Sequence, residues 1–118
     1  MIRNYDDLEV YKKSYESALK AHALSGNLPK EETYGLQSQV RRAAMSIPLN
    51  IAEGYGKRES AAEFKRYLQM AKGSSEEMKV LIDFMKDLGY IGKREHEEMR
   101  AVYDEIGKML YALIKRWK

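Results

Sequence analysis

Residues 60–88, SAAEFKRYLQMAKGSSEEMKVLIDFMKDL, carry the longest periodic pattern in the chain, and the pattern is helical. Ser60 precedes Glu63 by three residues, the spacing at which a serine hydroxyl and a glutamate carboxylate cap the first turn reciprocally. The stripe Phe64, Tyr67, Leu68, Ala71, Met78, Leu81, Ile82, Met85 and Leu88 then recurs every three or four positions, which turns one apolar face toward a core. Gly73-Ser74-Ser75 interrupts it with poor helix formers, yet the phase continues into Met78. The segment therefore reads as a place where small residues let a neighbouring helix approach. Gly89 closes the helix and Tyr90-Ile91-Gly92 makes the next turn.

The same period extends to both sides. Downstream, Met99, Val102, Ile106, Met109, Leu110, Leu113 and Trp117 mark a helix that starts near Lys93 to Glu95, with Lys115, Arg116 and Lys118 at the negative end of its dipole. Upstream, Leu36, Val40, Ala43, Ala44, Ile47 and Ile51 mark a helix that begins between Lys30 and Tyr34 and stops at Gly54-Tyr55-Gly56. Pro48 falls inside that stripe, where its ring crowds the Ala44 carbonyl and its missing N–H removes one bond. Because Ile47, Asn50, Ile51 and Glu53 stay in phase across it, the expectation is a kink within one helix. The first helix spans about Asp6 to Ser25, with Leu8, Tyr11, Tyr15, Leu19 and His22 as its apolar stripe. Gly26, which tolerates left-handed backbone, and Pro29 end it. Four stripes joined by short turns predict an all-α, antiparallel up-and-down four-helix bundle, one domain over residues 1–118.

Composition supports a folded helical chain: 44% of residues are hydrophobic, 33% are charged, and only two prolines occur. No apolar run is long enough to cross a bilayer, and the N-terminus turns acidic at Asp6 and Asp7, so a cytoplasmic location and no membrane partner are expected. The chain has no cysteine, which excludes disulfides, thiolate metal sites and cysteine nucleophiles. Net charge is +3, and its distribution is uneven. Lysines and arginines balance acids over residues 1–56 and again over residues 73–118, so the whole surplus lies in residues 57–72. There Lys57, Arg58, Lys65, Arg66 and Lys72 face only Glu59 and Glu63, a patch suited to phosphates.

Catalytic chemistry finds little footing. The inward Glu-x-x-His pairs of a di-metal bundle are absent. His22 and His96 stand apart and read as structural or surface histidines, and the Glu95–Glu98 cluster reads as a solvated first turn. Gly54-Tyr55-Gly56-Lys57 lacks the preceding strand and glycine spacing of a phosphate loop. No catalytic residue, metal, cofactor or small-molecule substrate is indicated. Arg42, Ser46, Asn50 and Glu53 form a polar row beside the apolar stripe of their helix, read as a hydrogen-bonded seam against Ser74, Ser75 or a neighbouring subunit. Glu53 is the single carboxylate that an enzymatic alternative would have to use.

The segments Gln39-Val40-Arg41-Arg42-Ala43-Ala44-Met45-Ser46-Ile47-Pro48-Leu49-Asn50-Ile51-Ala52-Glu53-Gly54-Tyr55-Gly56, Glu63-Phe64-Lys65-Arg66-Tyr67-Leu68 and Ala71-Lys72-Gly73-Ser74-Ser75-Glu76-Glu77 resemble, in order, the four-helix-bundle family of 23S rRNA intervening-sequence proteins. With Tyr5-Asp6-Asp7-Leu8-Glu9-Val10-Tyr11 the resemblance covers nearly the whole chain. It departs at Ser75-Glu76-Glu77-Met78, where members usually place apolar residues around the glutamate, a difference that bears on local packing. The resemblance implies a bacterial, non-enzymatic binding or scaffold protein that forms homopentameric rings. A distant relative, the accessory protein of diversity-generating retroelements, is similar in fold, forms a basic pentameric barrel, and binds nucleic acid and a reverse transcriptase. The expectation is thus an oligomer that holds RNA or another nucleic acid through Lys57, Arg58, Lys65, Arg66 and Lys72. The alternative is a protein–protein scaffold that recruits an enzyme such as a reverse transcriptase without touching nucleic acid.

Overall fold

The computed structural model describes all residues, Met1–Lys118, and contains four helices and no strand. They are α1 (Glu9–Ser25), α2 (Leu36–Gly56), α3 (Ala61–Asp87) and α4 (Lys93–Arg116), with short 3₁₀ turns at Tyr5–Asp7 and Lys30–Glu32. Pairings between helices run in opposite senses along the chain. Arg42, Ser46 and Glu53 of α2 meet Glu77, Ser74 and Tyr67 of α3. Asp83, Lys79 and Phe64 of α3 meet His96, Asp104 and Trp117. Arg41 meets Ser25, and Lys13 meets Glu105. Each neighbour is therefore antiparallel, and 24 buried residues drawn from all four helices and their connections form one core.

The helix ends follow local chemistry, with four departures from the sequence pattern. Asp6 and Asp7 do not open α1. The Asp7 carboxylate accepts instead from the amides of Arg3 (2.8 Å) and Asn4 (3.1 Å), which winds a separate 3₁₀ turn and leaves Leu8 extended before α1 begins. Gly26 ends α1 in right-handed geometry, φ −67°, because tightening amides reach back to Ala23 and Leu24 and no left-handed residue is needed. α2 begins only at Leu36, since Glu32 lies in its own 3₁₀ turn and its carboxylate accepts from the Leu36 amide at 3.2 Å. At α3 half of the reciprocal cap forms. Ser60 Oγ accepts from the Glu63 amide, while the Glu63 carboxylate turns to Arg66. Gly89 does close the α3 turn, at φ +82°, and the Tyr90 amide donates to the Met85 carbonyl at 2.8 Å, the bond that such a left-handed residue permits.

α2 and α3 bury the stripes their sequences mark, apart from Leu88, which lies beyond the last core layer and is exposed. α2 runs through Pro48 without a break. Gly73 has open space around it. The close approach falls on its neighbours, Ser74 against Ser46 and Ser75 against Gly107, where an added β-carbon would stand 3.3 Å from the serine hydroxyl. In α4 the centre is Tyr103, Ile106, Gly107, Leu110 and Leu113, while Met99, Val102, Met109 and Trp117 pack at its edges. Tyr103 and Gly107 were not marked by the stripe.

α1 keeps the start of its marked stripe, with Leu8 buried at its N-cap and Tyr11 half-buried against the core, and turns the rest outward. It buries Val10, Ser14, Ser17, Ala18, Ala21 and Ser25, and turns Tyr15 (50% exposed), Leu19 (59% exposed) and His22 outward. Small residues on the inner face let α1 lie close against α2. The hydroxyls of Ser14 and Ser25 cost little there because they donate to the carbonyls of Tyr11 and His22.

Candidate nucleic-acid interface

Lys57 and Arg58 occupy the α2–α3 turn, and Lys65, Arg66 and Lys72 lie along α3. The structure divides them. Lys57 donates to the Tyr67 hydroxyl at 2.9 Å, Tyr67 donates to Glu53 at 3.0 Å, and the ammonium lies 4.9 Å from the Tyr67 ring centre. That hydroxyl, with Glu53 behind it, holds the Lys57 pKa above its ordinary value. Arg66 grips Glu63 with two bonds, 3.0 and 3.2 Å, and lies over the same ring at 4.7 Å. The bond from Arg66 draws the Glu63 carboxyl pKa below its usual range. These two cations are thus partly neutralised by Glu53 and Glu63, although their outer faces remain in solvent. Arg58 stacks on Tyr55 at 4.1 Å and donates to its carbonyl, which orients a guanidinium with no acid attached. Lys65 and Lys72, seven residues apart on the α3 edge that faces α4, have no ion-pair partner.

Folding adds three cations. Trp117 packs edge-to-face on Phe64, with ring centroids 4.6 Å apart, so the end of α4 is brought to the start of α3. Lys115, Arg116 and Lys118 thereby join the basic segment, and residues 109–118 contain no acid to offset them. Exposed Tyr111 carries Lys115 near its ring, 5.9 Å from the centre. A tally over residues 73–118 hides this cluster, because the acids that cancel it sit at the other end of α4 and in the second half of α3. Among the acids, Asp83, Asp87, Glu95, Glu97 and Glu98 gather where α3 ends and α4 begins. Lys86, Lys93, Arg94 and Arg100 lie among them, so that end is close to neutral while the opposite end keeps a surplus of cations.

The polar row lies along the α2–α3 contact. Arg42 bonds Glu77 and Gln39, Ser46 donates to Ser74 (2.6 Å) or to the Ala43 carbonyl, Asn50 donates to the Ser46 carbonyl (2.8 Å), and Glu53 accepts from Tyr67. Ser75 takes no part, since it faces α4 and bonds the Lys72 carbonyl. His96 is half-buried, its Nε2 is 2.7 Å from Asp83, and Arg100 stands 3.4 Å from the same carboxylate. His22 is exposed rather than seated on an apolar interface within the bundle. No group of three metal-ligating side chains comes together, and no helix is long and apolar enough to cross a membrane.

An antiparallel four-helix bundle with a polar second–third helix seam, a basic end and an outward aromatic face on its first helix defines a class of small helical proteins. Within that class the chain belongs to the 23S rRNA-intervening sequence protein family, whose pattern matches residues 6–112. It is also similar to a crystal structure from Bacteroides thetaiotaomicron, a protein with unknown function from the S23 ribosomal protein family. The two share 28% identity and a TM-score of 0.82, over 90% of this chain and 95% of that one. No curated protein matches the chain.

Proposed function

We propose that the protein is a non-enzymatic module that assembles with copies of itself and holds RNA on its basic end. The observation that carries this is the Phe64–Trp117 contact, which joins Lys115, Arg116 and Lys118 to Arg58, Lys65 and Lys72. One copy presents few free cations. A ring repeats them, so several phosphates are engaged at once and affinity rises through effective concentration. Self-assembly is supported by two apolar surfaces that the single chain leaves in water. One is a groove of about 470 Å³ between α1 and α2, lined by Tyr11, Tyr15, Leu19, Met45 and Leu49. The other is the outer edge of α3, with Met70, Val80, Phe84 and Leu88. A closed ring in which each copy meets its two neighbours differently needs two such surfaces, and a pentamer is the proposed closure.

Binding of this kind is salt-dependent and weakly selective for sequence, because phosphate contacts position without specifying. Fluorescent structured and unstructured RNAs titrated at increasing salt test it, with wild type against a variant in which Arg58, Lys65, Lys72, Lys115, Arg116 and Lys118 become Gln. The variant is expected to keep helicity and assembly and to lose binding. A second variant replacing Lys57 and Arg66 is expected to lose less, since their acids already occupy them. Equal RNA binding by wild type and the sixfold variant, or none by wild type at low salt, leaves the apolar groove as the functional surface. The protein would then be a scaffold that recruits another enzyme, such as a reverse transcriptase.

A further inference from the structure

We infer, on the RNA reading proposed above, that the strand held on the basic end is unpaired: one of its bases stacks on Tyr111 while its phosphates lie along Lys65, Lys72, Lys115 and Lys118. Of the nine tyrosines, only Tyr111 offers an open ring in the basic segment. Tyr55, Tyr67 and Tyr103 are buried, and the Tyr103 hydroxyl is sealed in the core without a partner. Tyr5, Tyr11 and Tyr15 pack on one another, and Tyr34 and Tyr90 belong to the turns at the opposite end. Trp117 lies edge-to-face on Phe64. Tyr111 is 56% exposed. The charged group near its ring is the Lys115 ammonium, 5.9 Å from the centre, at the outer limit of a cation–π contact, so the ring is left open to a base.

Helix register explains why the lysines of this edge are free. Lys79 of α3 bonds Asp104 of α4 at 3.2 Å and pairs with Glu76 as well. Seven residues make two turns, so a step of seven back along α3 and seven forward along α4 stays on the same edge of two antiparallel helices. That step exchanges the position of Lys79 for that of Lys72 and the position of Asp104 for that of Tyr111. A second step reaches Lys65 and, just past the end of α4, Lys118. The Phe64–Trp117 contact shows that the pairing of the two helices holds to that end. One half of the edge is therefore closed by an ion pair, whereas the other carries half-buried lysines without an acid and an exposed aromatic ring. Cations that track a backbone beside a ring on which a base can lie are the means by which single strands are held. A duplex presents phosphates to the same lysines but keeps its bases stacked within the helix, so Tyr111 adds nothing to its binding.

The probes are a fluorescein-labelled oligoadenylate of about twelve nucleotides, an abasic ribose-phosphate strand of the same length, and a blunt RNA duplex, each titrated into the full chain at low salt. The abasic strand keeps every phosphate and removes every base. Wild type should bind oligoadenylate about five- to a hundredfold more tightly than the abasic strand, the range of one base–aromatic stack. Tyr111→Ala should erase that preference and bind the abasic strand and the duplex as wild type does, while Tyr111→Phe, which keeps the ring, should retain it. Lys65→Gln with Lys72→Gln should weaken both single strands by a similar factor and reduce the salt dependence of each, because phosphate contacts do not read the bases. Equal binding of oligoadenylate and the abasic strand by wild type overturns the inference and leaves the RNA reading in place. So does a preference for oligoadenylate that survives in Tyr111→Ala, since the bases then lie elsewhere. Failure of all three probes to bind overturns the inference and the RNA reading together.

Discussion

α1 and the α2–α3 pair solve the same problem with opposite faces. α2 and α3 bury the residues that their period marks, Ile47, Ile51, Phe64, Leu68, Met78 and Ile82. α1 carries an equally regular stripe but covers only its first members, Leu8 and Tyr11, and leaves Tyr15, Leu19 and His22 in water while Ser14, Ser17, Ala18 and Ala21 pack inward. The difference shows that hydrophobic period identifies a helix and a favoured face but does not say whether that face is covered by the helix's own chain or by another molecule. Where a neighbour must come close, small side chains with locally satisfied hydroxyls compete well against bulky tyrosines, whose own hydroxyls prefer water.

The largest expected effect tests that contrast directly. Leu68→Ala, at a site with no exposure, should cost about 2–5 kcal/mol in denaturant unfolding. Leu19→Ala on the outer face of α1 should stay within about 0.5 kcal/mol at high dilution. Equal losses at high dilution would break the comparison. A Leu19→Ala cost that grows with protein concentration would sharpen it, by showing that other copies cover α1.

Next in size is Gly54→Ala. A β-carbon there would lie 2.5 Å from the Tyr67 β-carbon, so α2 and α3 must part, at a cost of about 1–3 kcal/mol. Thermal unfolding checks it, and a neutral result would mean that the α2–α3 seam is looser than its hydrogen bonds require. Assembly offers a test of different kind. Leu49→Glu and Phe84→Glu, one on each exposed apolar surface, should each reduce the light-scattering mass to the 13.7 kDa of one chain while helicity is kept. If neither does, the outward stripe of α1 is not an interface between copies.

Gly73→Ala works in the opposite direction. With nothing near its missing β-carbon and helical backbone on both sides, the substitution should stabilise by about 0.5–1 kcal/mol, as for glycine in an open helix interior. The smallest effect is acid dependence. Bonds from Lys79 and Lys108 hold the Asp104 carboxyl below its usual pKa, and Arg66 does the same for Glu63. Folded values below unfolded ones mean that this stability is complete above the unfolded carboxylate pKa, near 4, and fades as pH falls through the folded values. Asp104→Asn should flatten the acid limb of a stability–pH curve, and Asp7→Asn should do the same while loosening the entry to α1, because the amides of Arg3 and Asn4 hold its carboxyl low as well.

Much of the molecule was legible in advance for a simple reason. Helix number, the passage of α2 through Pro48, the Ser60 half of the α3 cap and the closure of α3 at Gly89 depend on residues within about four positions of one another, the reach of a helical turn. The basic segment was visible too, since a charge count needs no coordinates. The unmarked core tyrosine, Tyr103, escaped because tyrosine is as common at surfaces as in cores and its period alone does not separate the two. Lys115, Arg116 and Lys118 escaped because a window that spans a whole helix hairpin averages its two ends.

The chain's own pattern therefore settled four helices, their order and the faces of α2 and α3, all properties of neighbours in sequence. Only the tertiary structure decided which face of α1 turns inward, which cations share an end, and where Tyr103 is left without a partner. Those outcomes depend on groups that lie far apart along the chain and meet only once antiparallel packing has fixed the register, as Trp117 meets Phe64.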